Sequence, residues 1–466
     1  MGGFFGVASA KDCVSDVFFG TDYHSHLGTK RGGMAFVSSG GFVRTIHNIE
    51  NNLFRSKFDA DLDRLEGRSG IGVISDTDDQ PLLIRSHLGD YAIATVGVVR
   101  NAESLAAEAF RRRRIHLSEM GSGEINPTEL VASLIDMEDS FESGIRRALA
   151  DIEGSCSLLL LTRQGIYAAR DRLGRTPVII GRKDGSTAVT FETSAFPNLE
   201  YEAVRFLGPG EIAFVHADGF ECRKEPEERL QVCAFLWVYY GYPASSYEGI
   251  NVEAVRNRCG AALARRFPAA IDFVAGIPDS GIGHGLGYAT EASVPFKRPF
   301  VKYSPTWARS FMPQHQEVRE LVARMKLIPI RELLDGQRVL FCEDSIVRGT
   351  QLRDTIRRLY DAGAAEIHMR PACPPLLYGC RFLNFSRSRS EMDLATRKAI
   401  RALRGADAAD VAEFSRAGGA AYDAMEEWIR GHLGLTTLKY QWLDDLVAAI
   451  GLPKEKLCTY CWDGVE

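Results

Sequence analysis

The sequence predicts a layered α+β sandwich followed by an α/β domain with a parallel sheet. In the first half, short apolar or alternating runs are bounded by Gly, Asp and Pro and interrupted by helical patterns, as in strands broken by paired helices. From Cys233 onward, strand and helix patterns alternate one by one, which favours a parallel sheet with helices on both faces. The charged stretch RKEPEERL around Pro226 separates these two patterns of predicted secondary structure. We therefore predict domains at 1–228 and 229–466.

The individual elements follow from periodicity and from turn residues. Predicted strands of the first half are 34–36, 70–74, 81–84, 91–99, 157–161, 166–170, 178–181 and 211–215, and its helices are 102–113, 129–137 and 140–150. The second half is predicted to contain a helix at 251–267, strands at 271–277, 339–342 and 366–370, and a helix that ends at Gly363.

The composition is that of a globular protein: 45% of the 466 residues are hydrophobic, 25% are charged, and the net charge is −5. This slightly acidic balance argues against nucleic acid as the main partner, and the one dense basic run, 111–114, is more typical of a solvated helix face. The sequence contains neither an apolar stretch of membrane-spanning length nor the layout of a signal peptide. We expect a cytoplasmic protein with no membrane partner.

The stretch VLFCEDSIVRGTQL, residues 339–352, carries the strongest functional signal. Its apolar run predicts a buried strand, and the acidic pair Glu343 and Asp344 stands at the strand's carboxyl end. A strand, a tight loop and a helix N-terminus together present backbone N–H groups to an anion. Two carboxylates beside a phosphate site suit a sugar phosphate, because they accept hydrogen bonds from vicinal hydroxyls. On composition alone, an ordinary strand-to-helix turn remains the alternative.

The full string resembles the phosphoribosyl-pyrophosphate (PRPP) loop of type I phosphoribosyltransferases, and among them the amidophosphoribosyltransferases that begin purine synthesis. The first acid is Glu343, where that family typically has Asp. The turn GIPDSG at 276–281 looks like the family's GVPDS turn, and RSF at 309–311 with RMKL at 324–327 resembles the segment that includes its closing loop. The resemblance covers nearly the whole chain. It implies an Ntn-hydrolase-like αββα sandwich followed by a type I phosphoribosyltransferase domain.

The same resemblance implies a set of ligand-binding residues. The turn and the loop both follow strands, so they are expected to open on one crevice. Magnesium is expected near Ser280, Glu343 and Asp344, because a hydroxyl and two carboxylates suit a cation that keeps most of its waters. PRPP is expected to contact Asp279, Ser280, Arg309, Lys326, Glu343, Asp344, Ser345, Ile346, Val347, Arg348, Gly349 and Thr350.

Ten cysteines in a cytoplasmic chain are not expected to form disulfides, and most lie in apolar surroundings. The C-terminal CxxC of Cys458 and Cys461 suggests a metal, a cluster or a redox pair, and its position at a chain end favours a metal or a cluster. Iron–sulfur members of the resembled family hold a 4Fe-4S cluster on four cysteines. The matching positions are Cys233, Cys380, Cys458 and Cys461, which implies such a cluster here.

The N-terminal half resembles the family's glutaminase domain in outline only. The family's nucleophile is an N-terminal cysteine whose own amine acts as base, whereas Gly2 stands there in this chain and Cys13 is too far along to replace it. The segment 73–78 lacks the arginine that grips the substrate carboxylate, Val96 replaces the oxyanion-hole Asn, and Pro127 replaces an aspartate. Losing one oxyanion donor typically costs about 100–1000-fold. We therefore expect no glutaminase activity, although the segments 171–177, 192–196 and 208–211 still match the family.

Three functional hypotheses follow from this resemblance. The first is an enzyme that binds Mg·PRPP and transfers ammonia, or an amine brought by another protein, to C1, giving 5-phosphoribosylamine when ammonia is used. The second is a non-catalytic protein that senses PRPP or purine nucleotides, or a partner of an active amidotransferase, since Arg309 is retained in a closing loop at 302–311 that otherwise differs. The third is an ordinary family member with an unrecognised nucleophile. The family's members are generally dimers or tetramers, so a homo-oligomer is expected.

Overall fold

The computed structural model describes residues 2–50, 52–111, 117, 120–121, 124–302, 327–383, 391–405 and 410–466. The predicted ligand contacts Arg309 and Lys326, the end of the basic run and most of the closing loop lie outside these residues. Within the described ranges, every helix is too short or too polar to cross a membrane.

The first half contains β-strands and helices in an interleaved order. Its strands are β1 Gly3–Ser9, β2 Arg31–Ser38, β3 Gly41–Asn48, β4 Ser69–Ser75, β5 Leu82–Ser86, β6 Gly89–Val99, β7 Met120–Gly121, β8 Glu124–Ile125, β9 Gly154–Leu161, β10 Ile166–Ala169, β11 Ile179–Lys183, β12 Ser186–Thr190, β13 Glu202–Phe206, β14 Ile212–His216 and β15 Gly219–Lys224. Its α-helices are α1 Val14–Asp22, α2 Phe54–Leu62, α3 Ala102–Arg111, α4 Pro127–Ile135 and α5 Phe141–Asp151.

These elements form the predicted αββα sandwich. One sheet has the strand order β13-β11-β12-β1-β4-β2-β3 and the other β15-β14-β10-β9-β6-β5. Alternate residues of β1 face opposite ways, as a strand requires. Phe4 belongs to the core that includes Ala94 and Leu159 of the facing sheet, whereas Phe5 belongs to the core that includes Phe18 of helix α1. Each sheet therefore buries one face against its partner and the other against helices.

The sequence patterns did not predict β1, α1 and α2. Strand β1 is buried along its whole length and pairs with β4 and β12, so it lacks the polar alternation that marks a half-exposed strand. Helix α1 contains Gly20, which is unfavourable in a helix interior. A Cβ on Gly20 would overlap the Phe5 ring, so glycine is what lets this helix lie close to β1.

The second half contains shorter strands and longer helices. Its strands are β16 Val232–Cys233, β17 Ser246–Tyr247, β18 Ile250–Asn251, β19 Phe273–Gly276, β20 Phe300–Lys302, β21 Leu327–Pro329, β22 Arg338–Glu343, β23 Glu366–Pro371, β24 Thr437–Leu438 and β25 Leu457–Cys458. Its α-helices are α6 Val252–Arg266, α7 Gly281–Ala292, α8 Arg331–Leu334, α9 Thr350–Asp361, α10 Ala395–Arg404, α11 Ala420–Leu433, α12 Leu443–Ile450 and α13 Tyr460–Asp463.

Strands β19, β22, β23 and β24 form a parallel sheet in that order, with helices on both faces as predicted. Along β22, Leu340 and Cys342 belong to the core that includes α6 and α7, whereas Val339 and Phe341 belong to the core that includes α9 and α11. This near-continuous apolar strand is typical of a parallel sheet buried on both sides.

Buried polar contacts join the two halves. The Arg170 guanidinium, whose side chain is 1% exposed, lies 2.7 Å from the Glu248 carboxylate. Glu192 accepts hydrogen bonds from the Tyr247 hydroxyl and from the Tyr242 backbone N–H, and it lies 3.0 Å from Nε2 of His26. Burial alone would raise the pKa of Glu192, but His26 and the hydroxyl of Tyr247 hold that pKa below its usual value.

Candidate functional site

The acidic pair at the end of β22 meets the turn that follows β19. The Ser280 hydroxyl donates to Oδ1 of Asp344 at 2.5 Å and lies 3.5 Å from Oε1 of Glu343. On the other side, the Ser345 hydroxyl donates to Oδ2 of Asp344 at 2.6 Å. The turn and the loop thus face each other, as their positions after parallel strands predict.

Backbone packing fixes this juxtaposition. Gly276 of β19 pairs with Cys342 of β22, and the Ile277 N–H donates to the Cys342 carbonyl at 2.9 Å. Gly281, the first residue of α7, approaches the same carbonyl so closely that a Cβ there would overlap its oxygen. Glycine at 281 is therefore what allows the turn to lie against the end of β22.

Three oxygen-bearing side chains consequently converge: Ser280, Glu343 and Asp344. Burial and the neighbouring Asp344 carboxylate raise the pKa of Glu343 well above its usual value. A bound dication would relieve the repulsion between the two acids, and hydroxyl and carboxylate oxygens are the donors that magnesium prefers. These three residues fit a magnesium site. Asp279 does not join them, since its carboxylate is 71% exposed and lies 2.6 Å from Nζ of Lys302.

A cavity of about 790 Å³ opens beside the loop. Every residue from Glu343 to Leu352 lines it, and Gly349, with a φ of 74°, caps helix α9. Aromatic side chains that the sequence analysis did not identify also line the cavity, and we call them its aromatic wall: Phe235, Tyr239, Tyr240 and Tyr378. They come from segments distant from the loop in sequence, so only the tertiary structure brings them there.

The four cysteines of the predicted cluster lie next to one another and next to this cavity. Strands β16 and β25 pair in parallel, which places Cys233 opposite Cys458. The carbonyl of Cys461 accepts the backbone N–H of Leu377 at 3.0 Å, and so ties the C-terminal segment to the loop before Cys380. Both Cys380 and Cys461 line the 790 Å³ cavity.

The chemistry of the four cysteines suits a metal group bound by thiolates. Burial, with a contribution from the neighbouring thiols, raises the pKa values of Cys233 and Cys461. Across the described ranges, no three His, Cys, Asp or Glu side chains are arranged to hold one metal ion. Four thiols with no imidazole or carboxylate among them are a ligand set of iron–sulfur clusters and also of structural zinc.

The positions that differ from the glutaminase pattern also lie together. Gly2, Val96, Pro127 and the segment 74–78 all line one cavity of about 430 Å³. Gly2 is buried, and a Cβ on it would overlap the carbonyl oxygen of Ile74. The backbone around residue 2 therefore has no room for a cysteine side chain.

Protein groups satisfy much of the polar lining of this second cavity. The backbone N–H groups of Thr77 and Asp78 each donate to the Ser75 hydroxyl oxygen at 3.2 Å. Gln80 is buried, and its Oε1 accepts the Thr95 N–H at 2.7 Å. These donors and acceptors of the cavity lining therefore have partners within the chain.

Comparison with known proteins identifies the family. Residues 67–198 match a family described as "Glutamine amidotransferase domain". The chain is 30% identical to the amidophosphoribosyltransferase of Methanocaldococcus jannaschii, over 100% of this chain and 97% of that protein. The chain belongs to the amidophosphoribosyltransferase family. The amidophosphoribosyltransferase of Bacillus subtilis is 28% identical over 88% of this chain and 87% of its own length.

Solved amidophosphoribosyltransferase structures share the fold. The glutamine PRPP amidotransferase from B. subtilis complexed with ADP and GMP matches with a TM-score of 0.84 and 26% identity, covering 99% of this chain and 96% of that one. A structure titled as the allosteric regulatory enzyme of purine biosynthesis matches with a TM-score of 0.85 and 25% identity, over 99% of this chain and 95% of its own. The predicted fold class, a glutaminase-type sandwich followed by a phosphoribosyltransferase domain, is confirmed.

One thiol of this amidophosphoribosyltransferase-family chain was not expected near Gly2. Cys156, predicted only as a small core residue, lines the 430 Å³ cavity and pairs across β6 and β9 with Gly97. Burial, and to a smaller extent Asp171, raises the pKa of Cys156 to about 12, so its thiol stays protonated near neutral pH. Cys13 lies outside the cavity lining, and burial raises its pKa too.

A buried arginine of the sandwich also reaches the cysteine cluster. The Arg175 guanidinium stacks on the Phe382 ring, 3.6 Å from its centre, and the Arg175 carbonyl accepts the Cys233 backbone N–H at 3.4 Å. Burial raises the pKa of Cys458, while the Tyr460 backbone N–H and the charge of Arg175 oppose that rise. The sequence analysis did not identify Arg175. Its segment, 171–177, matches the family, but that match does not indicate that any of its residues binds a ligand.

Proposed function

We propose that this protein binds Mg·PRPP in the 790 Å³ cavity and transfers ammonia to C1 of the ribose, giving 5-phosphoribosylamine. The nitrogen does not come from glutamine hydrolysed on this chain. The proposal includes a 4Fe-4S cluster on Cys233, Cys380, Cys458 and Cys461. Membership of the amidophosphoribosyltransferase family supplies the reaction class, and the residues of the two cavities supply the specific assignments.

The observation that carries the proposal is the contact between Ser280 and Asp344. It brings the turn and the acidic loop to one edge of the sheet, beside a cavity lined by every residue of the 343–350 loop. The 5′-phosphate would lie against the segment 345–350 at the N-terminus of α9, where the helix dipole favours an anion. The ribose hydroxyls would donate to Glu343 and Asp344.

In the proposed reaction, the bond between C1 and the pyrophosphate oxygen breaks and a bond between C1 and the ammonia nitrogen forms. Pyrophosphate leaves with the bonding electron pair, and the attacking nitrogen loses a proton to it or to solvent. Positioning and charge neutralisation supply most of the catalysis of such a step. A magnesium ion held near Ser280, Glu343 and Asp344 would neutralise the charge of the leaving group.

The proposed nitrogen source rests on two residues that line the 430 Å³ cavity, Gly2 and Val96. Residue 2 has no side chain to attack glutamine and no room for one, and Val96 cannot donate to an oxyanion. These two departures remove the nucleophile and the stabilisation of its transition state together. Free ammonia, or an amine delivered by another protein, would take the place of hydrolysed glutamine.

The cluster would join the C-terminal segment to the junction between the halves. Cys458 and Cys461 belong to the last strand and helix, whereas Cys233 opens the second half. Cysteine thiols bind iron in their deprotonated form, as thiolates. Because the raised pKa values keep these thiols protonated in the protein without iron, we expect cluster assembly to release protons. Iron and sulfide analysis of protein purified without oxygen tests this part independently of turnover.

The test of function uses the purified full chain with Mg·PRPP and either ammonium chloride or glutamine. Pyrophosphate release that depends on ammonium and is absent with glutamine supports the proposal. Release with glutamine at a comparable rate contradicts the assigned nitrogen source. Binding of PRPP without release in either mixture contradicts catalysis and favours the second candidate.

That second candidate is a non-catalytic sensor of PRPP or purine nucleotides, or a partner of an active amidotransferase. The aromatic wall of the 790 Å³ cavity, which includes Tyr239, Tyr240 and Tyr378, offers surfaces on which a base can stack. A similar solved structure is titled as a complex with ADP and GMP. Calorimetric titration with AMP, GMP and ADP, in the presence and absence of PRPP, measures nucleotide binding. Nucleotide binding together with no pyrophosphate release in either mixture above favours the sensor, whereas ammonium-dependent release favours the enzyme.

A further inference from the structure

We infer that Arg175 is a positioning residue for the iron–sulfur cluster: it places a buried positive charge with N–H donors beside the segments that carry Cys233 and Cys380, and so raises the cluster's reduction potential. This inference rests on the proposed cluster. It also gives the glutaminase-type domain, which has lost its nucleophile, a role in the chemistry of the second domain.

The contacts of Arg175 hold its side chain in one place. Its guanidinium lies on the Phe382 ring, its Nη2 donates to Oε1 of Gln231 at 3.2 Å, and the whole residue is 4% exposed. Its Nε is buried and has no hydrogen-bond partner within the part of the chain that the structure describes. This buried N–H group can therefore donate a hydrogen bond to a bound group, such as a sulfur of the proposed cluster.

The loop that carries Arg175 is itself rigid. Oδ2 of Asp171 accepts the Thr176 backbone N–H and the Thr176 hydroxyl, each at 2.8 Å. The neighbouring Arg170 donates to the carbonyls of Gly174 and Thr176. The loop is thus closed on both sides of Arg175, so the direction of its side chain is fixed before any cluster binds.

Arg175 and the cysteines come from different halves of the chain but share a backbone contact. The Cys233 N–H donates to the Arg175 carbonyl, and Cys233 lies opposite Cys458 across the β16–β25 pair. Phe382, on which the guanidinium stacks, follows Cys380 by two residues. The arginine therefore contacts Cys233 through its backbone and the segment that carries Cys380 through its side chain.

The expected effect follows from electrostatics. One-electron reduction adds a negative charge to the cluster, and a nearby buried cation stabilises the more negative state. Hydrogen bonds to ligand sulfurs act in the same direction, and both are recognised determinants of cluster potential. Removing the charge is expected to make reduction harder and to weaken retention of the cluster.

The experiment compares Arg175→Gln and Arg175→Lys with the wild type, each as the full chain reconstituted with iron and sulfide. Dithionite titration followed by electron paramagnetic resonance measures the potential. We expect a shift to more negative potential in R175Q, a smaller shift in R175K, and faster cluster loss in air for R175Q. Arg172→Gln is the matched control, because Arg172 lies in the same loop, is exposed and lines the same cavity as Arg175.

A second measurement compares the wild type with R175Q. An N–H···S bond to a cluster thiolate shifts the Fe–S stretching bands in resonance Raman spectra on exchange into D₂O. Backbone N–H groups such as that of Leu383, which donates to the Cys380 sulfur at 3.3 Å, contribute to this shift in both proteins, so we expect a smaller shift in R175Q than in the wild type. The inference is overturned if both Arg175 variants hold a cluster and keep the wild-type potential and the wild-type isotope shift. A wild type without iron and sulfide after reconstitution refutes the proposed cluster instead, which is a different failure.

Discussion

The carbonyl oxygen of Ile74 occupies the space that a side chain on Gly2 would need. Ile74 pairs with Gly3 across β4 and β1, so the two strands hold this oxygen in register beside residue 2. A cysteine at position 2 would have to push apart two central strands of a packed sheet. The backbone around Gly2 therefore leaves no space for a cysteine side chain.

We therefore predict that Gly2→Cys does not create glutaminase activity. Glutamate release is expected to remain at background, because the oxyanion donor at Val96 is also missing, a loss typically worth about 100–1000-fold. Overpacking is expected to lower the free energy of unfolding by about 1–3 kcal/mol. Urea denaturation measures this, with Gly40→Cys as control, since a Cβ on Gly40 meets nothing nearer than 3.8 Å. Glutamate release by G2C would contradict the interpretation.

Asp344→Asn is predicted to weaken PRPP binding. The change removes a charge at the convergence of Ser280 and Ser345, and hydrogen bonds to charged groups are worth about 1.5–3 kcal/mol. That energy corresponds to about a 10–100-fold rise in Kd. Calorimetric titration with Mg·PRPP measures the effect, and Asp354→Asn, on the exposed face of α9, is expected to leave Kd unchanged. Equal affinities in D344N and the wild type would remove the acidic loop from the binding site.

Cys156 is predicted to be chemically inert although it lines the same cavity as Gly2. Burial raises its pKa to about 12, so the reactive thiolate is scarce at pH 8. Mass spectrometry after treatment with iodoacetamide is expected to find Cys222, which is exposed, modified well before Cys156. Ammonia-dependent turnover is expected to survive Cys156→Ser. Rapid labelling of Cys156, together with glutaminase activity that C156S abolishes, would identify the unrecognised nucleophile.

Glu192 is predicted to stabilise the junction between the halves in a pH-dependent way. Its pKa is held below the usual value in the folded protein, so its contribution is present above the unfolded carboxyl pKa of about 4.3 and is lost as the pH falls through the lower folded value. Glu192→Gln is expected to cost about 1.5–3 kcal/mol at pH 7, because it weakens hydrogen bonds to a buried charge.

Chemical denaturation between pH 3 and pH 7 measures the contribution of Glu192. The curves for the wild type and E192Q are expected to converge toward the acid end, because both side chains are neutral there. Glu202→Gln, an exposed change on β13, is the control and is expected to follow the wild type. A constant difference between the wild type and E192Q across the range would show that ionisation of Glu192 does not contribute.

Local patterns predicted the parts of the fold in which one face is buried or a motif is continuous. Strands β6, β9 and β22 and helices α5, α6 and α9 lie where periodicity placed them, and the loop at 343–350 follows its strand as expected. Strand β1 and helix α1 were missed because glycines interrupt both patterns: Gly3 and Gly6 break the apolar run of β1, and Gly20 weakens the helical signal of α1.

The sequence by itself determined the family, the order of the two folds and the residues of the acidic loop, because these are written in contiguous motifs. Only the tertiary structure decided what surrounds them: the aromatic wall of the cavity, the thiol of Cys156 in the cavity that Gly2 lines, and the guanidinium of Arg175 on the Phe382 ring near Cys380. Such contacts depend on how separate segments pack, and burial, rather than residue type, sets the charge and reactivity of each group.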